Sequence, residues 1–307
     1  MRTLRETVLV PALAALLPWP NGFRALSRKA ADEFLYREST DAALAGARTV
    51  IDVGDGTEWK RRHRLVRLVD HCDMYLMRSR SRRWLARHVD VDGAWPAAAP
   101  FIAMTFHWGA GLWSLAHLRA HGFRARFLSA RIDKSAFHGD AVAHAYARLR
   151  NRTVEAAGGA PVIYIGGASD AIRDALNEGQ VVVALYDVPA ADDRATLATT
   201  VCDMPIRLPA GLARLAAATG VPVVPFSMGI DYRTGRRKLR IEPSFRPATA
   251  QDFADRLGAS LSRLIREDSP AWHFSAFAPR FFANHGETGT VAALSEPAMP
   301  AAPAGIR

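Results

Sequence analysis

Residues 101–119 have the sequence FIAMTFHWGAGLWSLAHLR, in which a glycine-containing turn joins a short apolar run to a segment with helical spacing. An apolar run of this length, bounded by turn residues, predicts a strand that is buried on both faces. Similar runs occur at 124–129, 161–165, 181–186, 221–226 and 238–243. Segments with helical spacing separate most of them. This alternation predicts an α/β fold with a mostly parallel central sheet flanked by helices.

The helical segments carry their own start and stop signals. Residues 61–87 repeat apolar side chains at helical spacing opposite an arginine-rich face, which predicts one long helix. Further helices are predicted at 139–150, from a Ser169 cap to Gly179, from Pro209 to Gly220, and from Thr249 to Glu267.

Composition narrows the class of protein. The 307 residues are 49% hydrophobic and 23% charged, which predicts a globular core. Lys and Arg number 40 against 30 Asp and Glu, a net charge of +10 that favours polyanionic partners such as anionic lipid or an acidic carrier protein. Zinc-finger spacing and a single basic block are both missing, so nucleic acid is disfavoured. Cys72 and Cys202 fit no disulfide framework or metal motif, in keeping with a reducing cytoplasmic setting.

The N-terminal residues 1–30 predict a membrane-associating amphipathic segment. Residues 8–19, VLVPALAALLPW, form an apolar run shorter than the about 20 residues that a spanning helix needs. A signal peptide is the competing interpretation, but Glu6 lies in its n-region and no small-residue cleavage site follows. We expect a helix in the membrane interface with Trp19 at headgroup depth, although an ordinary first helix packed on the domain remains an alternative.

The rest of the chain divides into two parts. Residues 31–285 predict one α/β domain, because strands and helices alternate without an internal repeat. Residues 286–307 are rich in Ala, Pro and Gly and lack periodicity, which predicts a disordered tail.

Ligands of open α/β sheets bind beyond the carboxyl ends of the strands. That rule selects His107 after the 101–106 run and Asp187 after the 181–186 run. Arg131 and Asp133 follow the 124–129 run.

His107 is the best candidate for a general base, because a neutral imidazole can accept a proton from a hydroxyl near pH 7. Gly109 and Gly111 would let backbone N–H groups approach a ligand there. The N-terminus of the following helix would favour an oxyanion.

The same turn permits a different class of function. Residues 109–114, GAGLWS, approach the G-x-G-x-x-G turn of dinucleotide-binding proteins, which would make the chain an oxidoreductase. Ser114 replaces the third glycine, and Trp108 would crowd the phosphates. Asp133 is a weak candidate for the acid that binds the ribose.

Five stretches, in this order and spacing, resemble the lipid A biosynthesis (late, secondary) acyltransferases of the lysophospholipid acyltransferase superfamily. The resemblance covers the chain from its N-terminus to about Phe282. Its stretches are LLPWPNGFRALSR (16–28), the helical lead-in at 61–93, TFHWGAGLW (105–113), the block at 204–226 that ends in PVVPF, and PAWHFSAFAPRFF (270–282).

The resemblance implies an acyltransferase-like fold and an activity. A fatty acyl chain would move from a thioester, on acyl carrier protein or coenzyme A, to a hydroxyl or amine of an anionic lipid, without a metal or redox cofactor. A lipid A precursor is the family's usual acceptor; another lipid, such as an aryl-polyene or ornithine-type lipid, is an alternative. The implied location is the cytoplasmic face of the bacterial inner membrane, peripheral or monotopic. Candidate contacts to the anionic partners are Arg131, Arg194, Arg207 and Arg214.

The chain departs from the family at one catalytic position. The family pattern places Asp or Glu five residues after the histidine, where this chain has Leu112. Asp187 could supply the missing carboxylate, His107 could act without one, or the protein could bind lipid without transferring acyl groups. The family also carries an arginine near the 161–165 run, and YIGGAS (164–169) has none.

Overall fold

Seven strands form the central sheet of the protein in a computed structural model that describes residues 2–188 and 196–282. The predicted disordered tail, residues 286–307, lies outside the described residues. Six helices precede the first strand: α1 (Arg2–Leu4), α2 (Val10–Leu16, continuous with α1 through the π-helical turn Arg5–Leu9), α3 (Asn21–Lys29), α4 (Arg37–Arg48), α5 (Gly56–Ser79) and α6 (Arg82–Arg87).

Strands and helices then mostly alternate, as predicted, although two strands within 196–209 that the sequence did not predict form a separate antiparallel sheet. The elements in the first part of the domain are β1 (Val89–Asp92), β2 (Phe101–Thr105), α7 (Leu112–Ala120), β3 (Ala125–Ser129), α8 (Ala141–Gly158), β4 (Ile163–Tyr164), α9 (Ser169–Asn177) and β5 (Val181–Leu185). Those in the second part are β6 (Thr196–Val201), β7 (Met204–Pro209), α10 (Gly211–Thr219), β8 (Val223–Ile230), β9 (Arg237–Ile241), α11 (Ala250–Asp268) and α12 (Ala278–Phe282).

The sheet has the strand order β1-β9-β8-β2-β5-β3-β4. All neighbours are parallel except β8 and β9, which form an antiparallel pair. Every residue of β2 is buried, as are the first four residues of β5. Helices cover both faces of these central strands, so they contain no alternating polar positions. The predicted α/β class, with a mostly parallel sheet flanked by helices, is confirmed.

The long helix predicted over residues 61–87 is two helices, α5 and α6. Arg80 is extended between them, and its guanidinium donates to the carbonyl oxygens of Ala15 and Leu17. The Ser81 hydroxyl then accepts from the N–H of Trp84 and caps α6. A polar N-cap inside a periodic segment therefore restarted the helix, which apolar periodicity alone does not reveal.

One predicted helix start and one predicted cap were also wrong. Pro209 ends β7 in an antiparallel hairpin with β6, a position where a residue without an N–H is tolerated, and α10 begins at Gly211. Ser169 is the first residue of α9 and makes no capping hydrogen bond. Thr249 does cap α11, by accepting from the N–H of Asp252.

The N-terminal residues are helical, and part of their apolar surface packs on the domain. Trp19 lies against Phe23 and against the guanidinium of Arg237, 4.5 Å from its ring centre, and is partly exposed, so its place at headgroup depth stays a prediction. Leu13 and Leu16 of α2 stay exposed, at 64% and 75%. Within the described residues, no helix is both long and apolar enough to cross a membrane.

Candidate active site

The adjacency of β2 and β5 brings His107 and Asp187 together. The two strands pair in parallel with Thr105 opposite Leu185, so each of the two site residues lies two positions beyond this pair. Both therefore emerge at the carboxyl edge of the sheet, where ligands of such folds bind. The sequence placed both residues at this edge but could not give the strand order.

Asp187 holds His107 through two different groups. The Nδ1 atom of His107 lies 3.0 Å from Asp187 Oδ1, and the backbone N–H of His107 donates to both carboxylate oxygens, at 2.8 and 3.0 Å. The indole Nε1–H of Trp272 donates to Oδ2 at 2.8 Å. The Asp187 side chain is fully buried. Ring and backbone of His107 are thus fixed by one carboxylate that neighbouring N–H groups hold in turn.

This arrangement determines which nitrogen of His107 can act as a base. A carboxylate accepts hydrogen bonds, so the Nδ1 atom that faces Asp187 carries the proton and Nε2 keeps its lone pair. The side chain is 17% exposed, so the site is reachable from solvent. The ring of Phe274 stacks on the imidazole with centroids 3.6 Å apart and planes within 6°. The imidazole is therefore oriented from its edge and from its face.

Residues 270–274 supply further contacts that hold His107 in place. Trp272 forms an isolated antiparallel bridge with Trp108, and the N–H of His273 donates to the carbonyl of His107 at 2.8 Å. The sequence marked residues 270–282 only through resemblance and assigned them no role. Trp272, His273 and Phe274 are the site residues that sequence reasoning missed; the WHF triplet was the one available signal.

Helix α5 anchors that segment. The indole of Trp59 donates to Ser269 Oγ at 2.8 Å, and His63 Nδ1 bonds the carbonyl of Pro270 at 2.9 Å. The two rings stack 5.0 Å apart. Burial lowers the pKa of His63 well below its usual value, so it is neutral near pH 7. These contacts fix the start of the segment to α5.

Gly109 is not free to serve as an oxyanion donor, which corrects the prediction. Its N–H donates to the carbonyl of Ala271 at 2.8 Å, and its own carbonyl accepts from His273 Nε2 at 2.7 Å. Its φ is +58°, and a Cβ here would collide with the carbonyl of Met228, so glycine is required for the turn itself. Gly111 is the N-cap residue that precedes α7, has space around its Cα, and stays the candidate donor.

Leu112 belongs to the hydrophobic core and not to the candidate active site. It is the first residue of α7 and is 3% exposed. The carboxylate that the resemblance would place here comes from β5 instead. Contact between Asp187 and His107 was the first of the three alternatives that the sequence left open.

The predicted anion-binding arginines lie apart from one another. Arg131 follows β3 and lies over the ring of Tyr164 at 5.3 Å. Arg207 is on the β6–β7 hairpin, where its Nε donates to Thr196 Oγ1, and Arg214 is exposed on α10. Arg194 lies outside the described residues. Their predicted role stays a prediction.

The fold and this site define a class: an α/β protein with a His–Asp pair at the carboxyl edge of a mostly parallel sheet. No family model matches the chain, and no curated protein matches it.

Proposed function

We propose that the protein is an acyltransferase that moves a fatty acyl chain from a thioester to a hydroxyl or amine of a lipid, with a lipid A precursor as the first acceptor to test. One observation carries the proposal: His107 Nδ1 is paired with a buried carboxylate, while Nε2 has no hydrogen-bond partner among the described residues. A base oriented by an acid is the arrangement that activates a weak nucleophile for acyl transfer. The resemblance of five sequence stretches supports the same reaction.

In the proposed reaction, Nε2 of His107 takes the proton of the acceptor's hydroxyl as its oxygen attacks the thioester carbonyl. Asp187 stabilises the imidazolium that forms, because its carboxylate already accepts Nδ1–H. We assign stabilisation of the developing oxyanion to the N–H of Gly111 and the N-terminus of α7. When the tetrahedral intermediate collapses, the carbon–sulfur bond breaks, and the leaving thiolate receives the proton from Nε2.

The charge of the chain supports anionic partners. A net charge of +10 attracts an acidic carrier protein, the phosphates of coenzyme A and an anionic lipid. We include acyl carrier protein or coenzyme A as donor carriers in the proposal, with Arg131, Arg207 and Arg214 as surface contacts.

Exposed leucines support a place on the membrane surface. Leu9, Leu13, Leu16 and Leu17 leave 41–75% of their surface in solvent and recur at helical spacing. Such a stripe is costly in water and inserts readily among lipid acyl chains. We propose peripheral or monotopic association with the cytoplasmic face of the inner membrane. A Leu13→Gln/Leu16→Gln double variant should then bind anionic vesicles more weakly than the wild type in a sedimentation assay.

The deciding experiment is acyl transfer from labelled acyl carrier protein, or from acyl coenzyme A, to a total bacterial lipid extract. We expect labelled lipid with the wild type and none with His107→Ala. His121→Ala is the matched control, since that histidine is exposed at the end of α7. If the folded wild type transfers nothing from either donor, the proposal is wrong, and a lipid-binding protein becomes the better hypothesis.

A further inference from the structure

A second group of ionisable side chains borders the site on the side of α5 and α8. Helix α5 contributes Arg67, Asp70 and His71, and α8 contributes Tyr146 and Arg150. Helix α5 connects this group to the site, because the ring of His63 lies 6.3 Å from that of His273 and Arg67 is one turn further along the helix. Burial lowers the pKa of His273, Asp70 raises it, and Arg67 and Arg150 lower it. His273 in turn contacts the carbonyls of His107 and Gly109.

These side chains lie deep in the protein but keep contact with solvent. Arg150 leaves 33% of its side chain exposed, and Arg67, His71 and Tyr146 are each half-buried. Burial nevertheless lowers the pKa of His71 to about 3. Because each of these four side chains keeps part of its surface in solvent, small solutes can reach the group from the side of α5 and α8, and this half-buried surface is called the cleft below.

The two arginines of the cleft differ in their partners. Arg150 forms a paired contact with Asp70, with NH2 at 3.0 Å from Oδ1 and NH1 at 3.0 Å from Oδ2. Arg67 bonds the hydroxyl of Ser39 and lies 4.2 Å from the ring centre of Tyr36. Among residues 2–188 and 196–282, no carboxylate lies within ion-pair distance of Arg67.

The cleft therefore holds one more positive charge than its own residues balance. His71 and His273 add no charge near pH 7, because burial lowers the pKa of each. Burial also lowers the pKa of Arg67, and Tyr36, Glu6 and Asp70 raise it only in part. A half-buried guanidinium that no carboxylate of the described residues pairs with can form an ion pair with a bound anion.

We propose that Arg67 binds a phosphate group of a substrate in the cleft between α5 and α8, next to the His107 site. The guanidinium has unused N–H groups in the fork geometry that suits phosphate oxygens. The assignment of the phosphate to a substrate rests on the proposed acyl transfer. Two sources share this chemistry: the anionic acceptor lipid and the phosphopantetheine of the thioester donor.

The binding step is tested first with inorganic phosphate, without turnover. Phosphate should stabilise the wild type against thermal unfolding more than chloride of equal ionic strength does. Arg67→Gln should weaken phosphate binding by about tenfold or more, since a charged hydrogen-bonding partner is lost. Arg67→Lys should retain part of the affinity. Arg173→Gln, on the exposed face of α9, should bind phosphate like the wild type.

A measurement on the wild type covers the case in which Arg67→Gln fails to fold. Phosphate should slow phenylglyoxal modification of Arg67 and leave that of Arg173 unchanged, as read by peptide mass spectrometry. Equal modification of Arg67 with and without phosphate, or equal phosphate affinity of Arg67→Gln and wild type, would overturn the proposal.

The source of the phosphate is then identified by turnover. Acyl coenzyme A is compared with the acyl N-acetylcysteamine thioester, which lacks phosphate, and the acceptor lipid is compared with its phosphatase-treated form. Arg67→Gln should raise KM only for the substrate whose phosphate it binds. If phosphate binding depends on Arg67 but nothing is acylated, the proposed acyl transfer is wrong and the proposed phosphate site is supported. If His107-dependent transfer occurs and phosphate does not bind, the proposed acyl transfer is supported and the proposed phosphate site is wrong.

Discussion

Two buried aspartates of this protein are held in different ways. Asp187 accepts from Trp272 Nε1 and from both the backbone and the ring of His107, and that ring reaches solvent. Asp73 on α5 pairs with Arg237 of β9, and both side chains are fully buried. The guanidinium lies between the rings of Trp113 and Trp19, at 4.2 and 4.5 Å.

The difference distinguishes a candidate catalytic pair from a buried ion pair that joins elements of the fold. The Asp73–Arg237 pair joins α5, α7 and β9 and leaves no reactive group facing solvent. The Asp187–His107 pair keeps Nε2 of the imidazole free at the sheet edge. Depth and charge alone therefore do not identify chemistry; an accessible lone pair on a fixed ring does.

The largest expected effect is the loss of acyl transfer when Asp187 is replaced. Asp187→Asn keeps the shape but no longer favours Nδ1–H, so kcat of acyl transfer should fall by about 10²–10⁴-fold. Circular dichroism should show the same fold. Activity within twofold of the wild type would mean that His107 does not depend on this carboxylate.

Replacing Asp73 should lower the stability of the fold and leave acyl transfer unchanged. Asp73→Asn leaves the buried Arg237 without its counter-charge, which should lower the free energy of unfolding by about 3–5 kcal/mol. Urea denaturation measures this loss. Below the unfolding transition, kcat should match the wild type, and a drop in kcat comparable to that of Asp187→Asn would refute the proposed division of roles.

The two tryptophans beside these pairs sharpen the comparison. Trp272→Phe removes one donor to Asp187 and should lower kcat about tenfold with little change in KM, equal to about 1.4 kcal/mol of lost transition-state stabilisation. Trp113→Phe is its control, because the Nε1 of Trp113 has no partner within the described residues. Similar kcat values for the two variants would argue against a positioning role for Trp272.

The smallest effect concerns a third aspartate, Asp268. Burial raises its pKa to about 6, while a hydrogen bond from the Tyr232 hydroxyl and the charges of Arg62 and Lys238 lower it. A carboxyl whose folded pKa exceeds its unfolded value is more stable in its protonated form, so stability should fall as pH rises from 4 to 6.

The expected loss over that range is about 1–2 kcal/mol, discounted for partial exposure, and Asp268→Asn should flatten the profile. Urea denaturation at pH 4, 5, 6 and 7 measures it. An equally steep decline in Asp268→Asn would assign the effect to other groups.

Much of the fold was predictable because its signals are local. Buried strands such as β2 and β5 appear as apolar runs, and Gly220 ends α10 in the left-handed conformation. The break at Arg80 and the hairpin that ends at Pro209 were missed, since a cap and an antiparallel partner override periodicity there.

The candidate site was likewise predictable only in part. The type and place of His107 and Asp187 follow from the residues that end two apolar runs, so sequence alone could nominate both. That they touch depends on β2 lying next to β5, and pairing between distant strands leaves no local trace. Trp272, Phe274 and the Ala271 carbonyl that accepts the N–H of Gly109 come from a segment more than 160 residues away in sequence, which only tertiary packing brings to the imidazole.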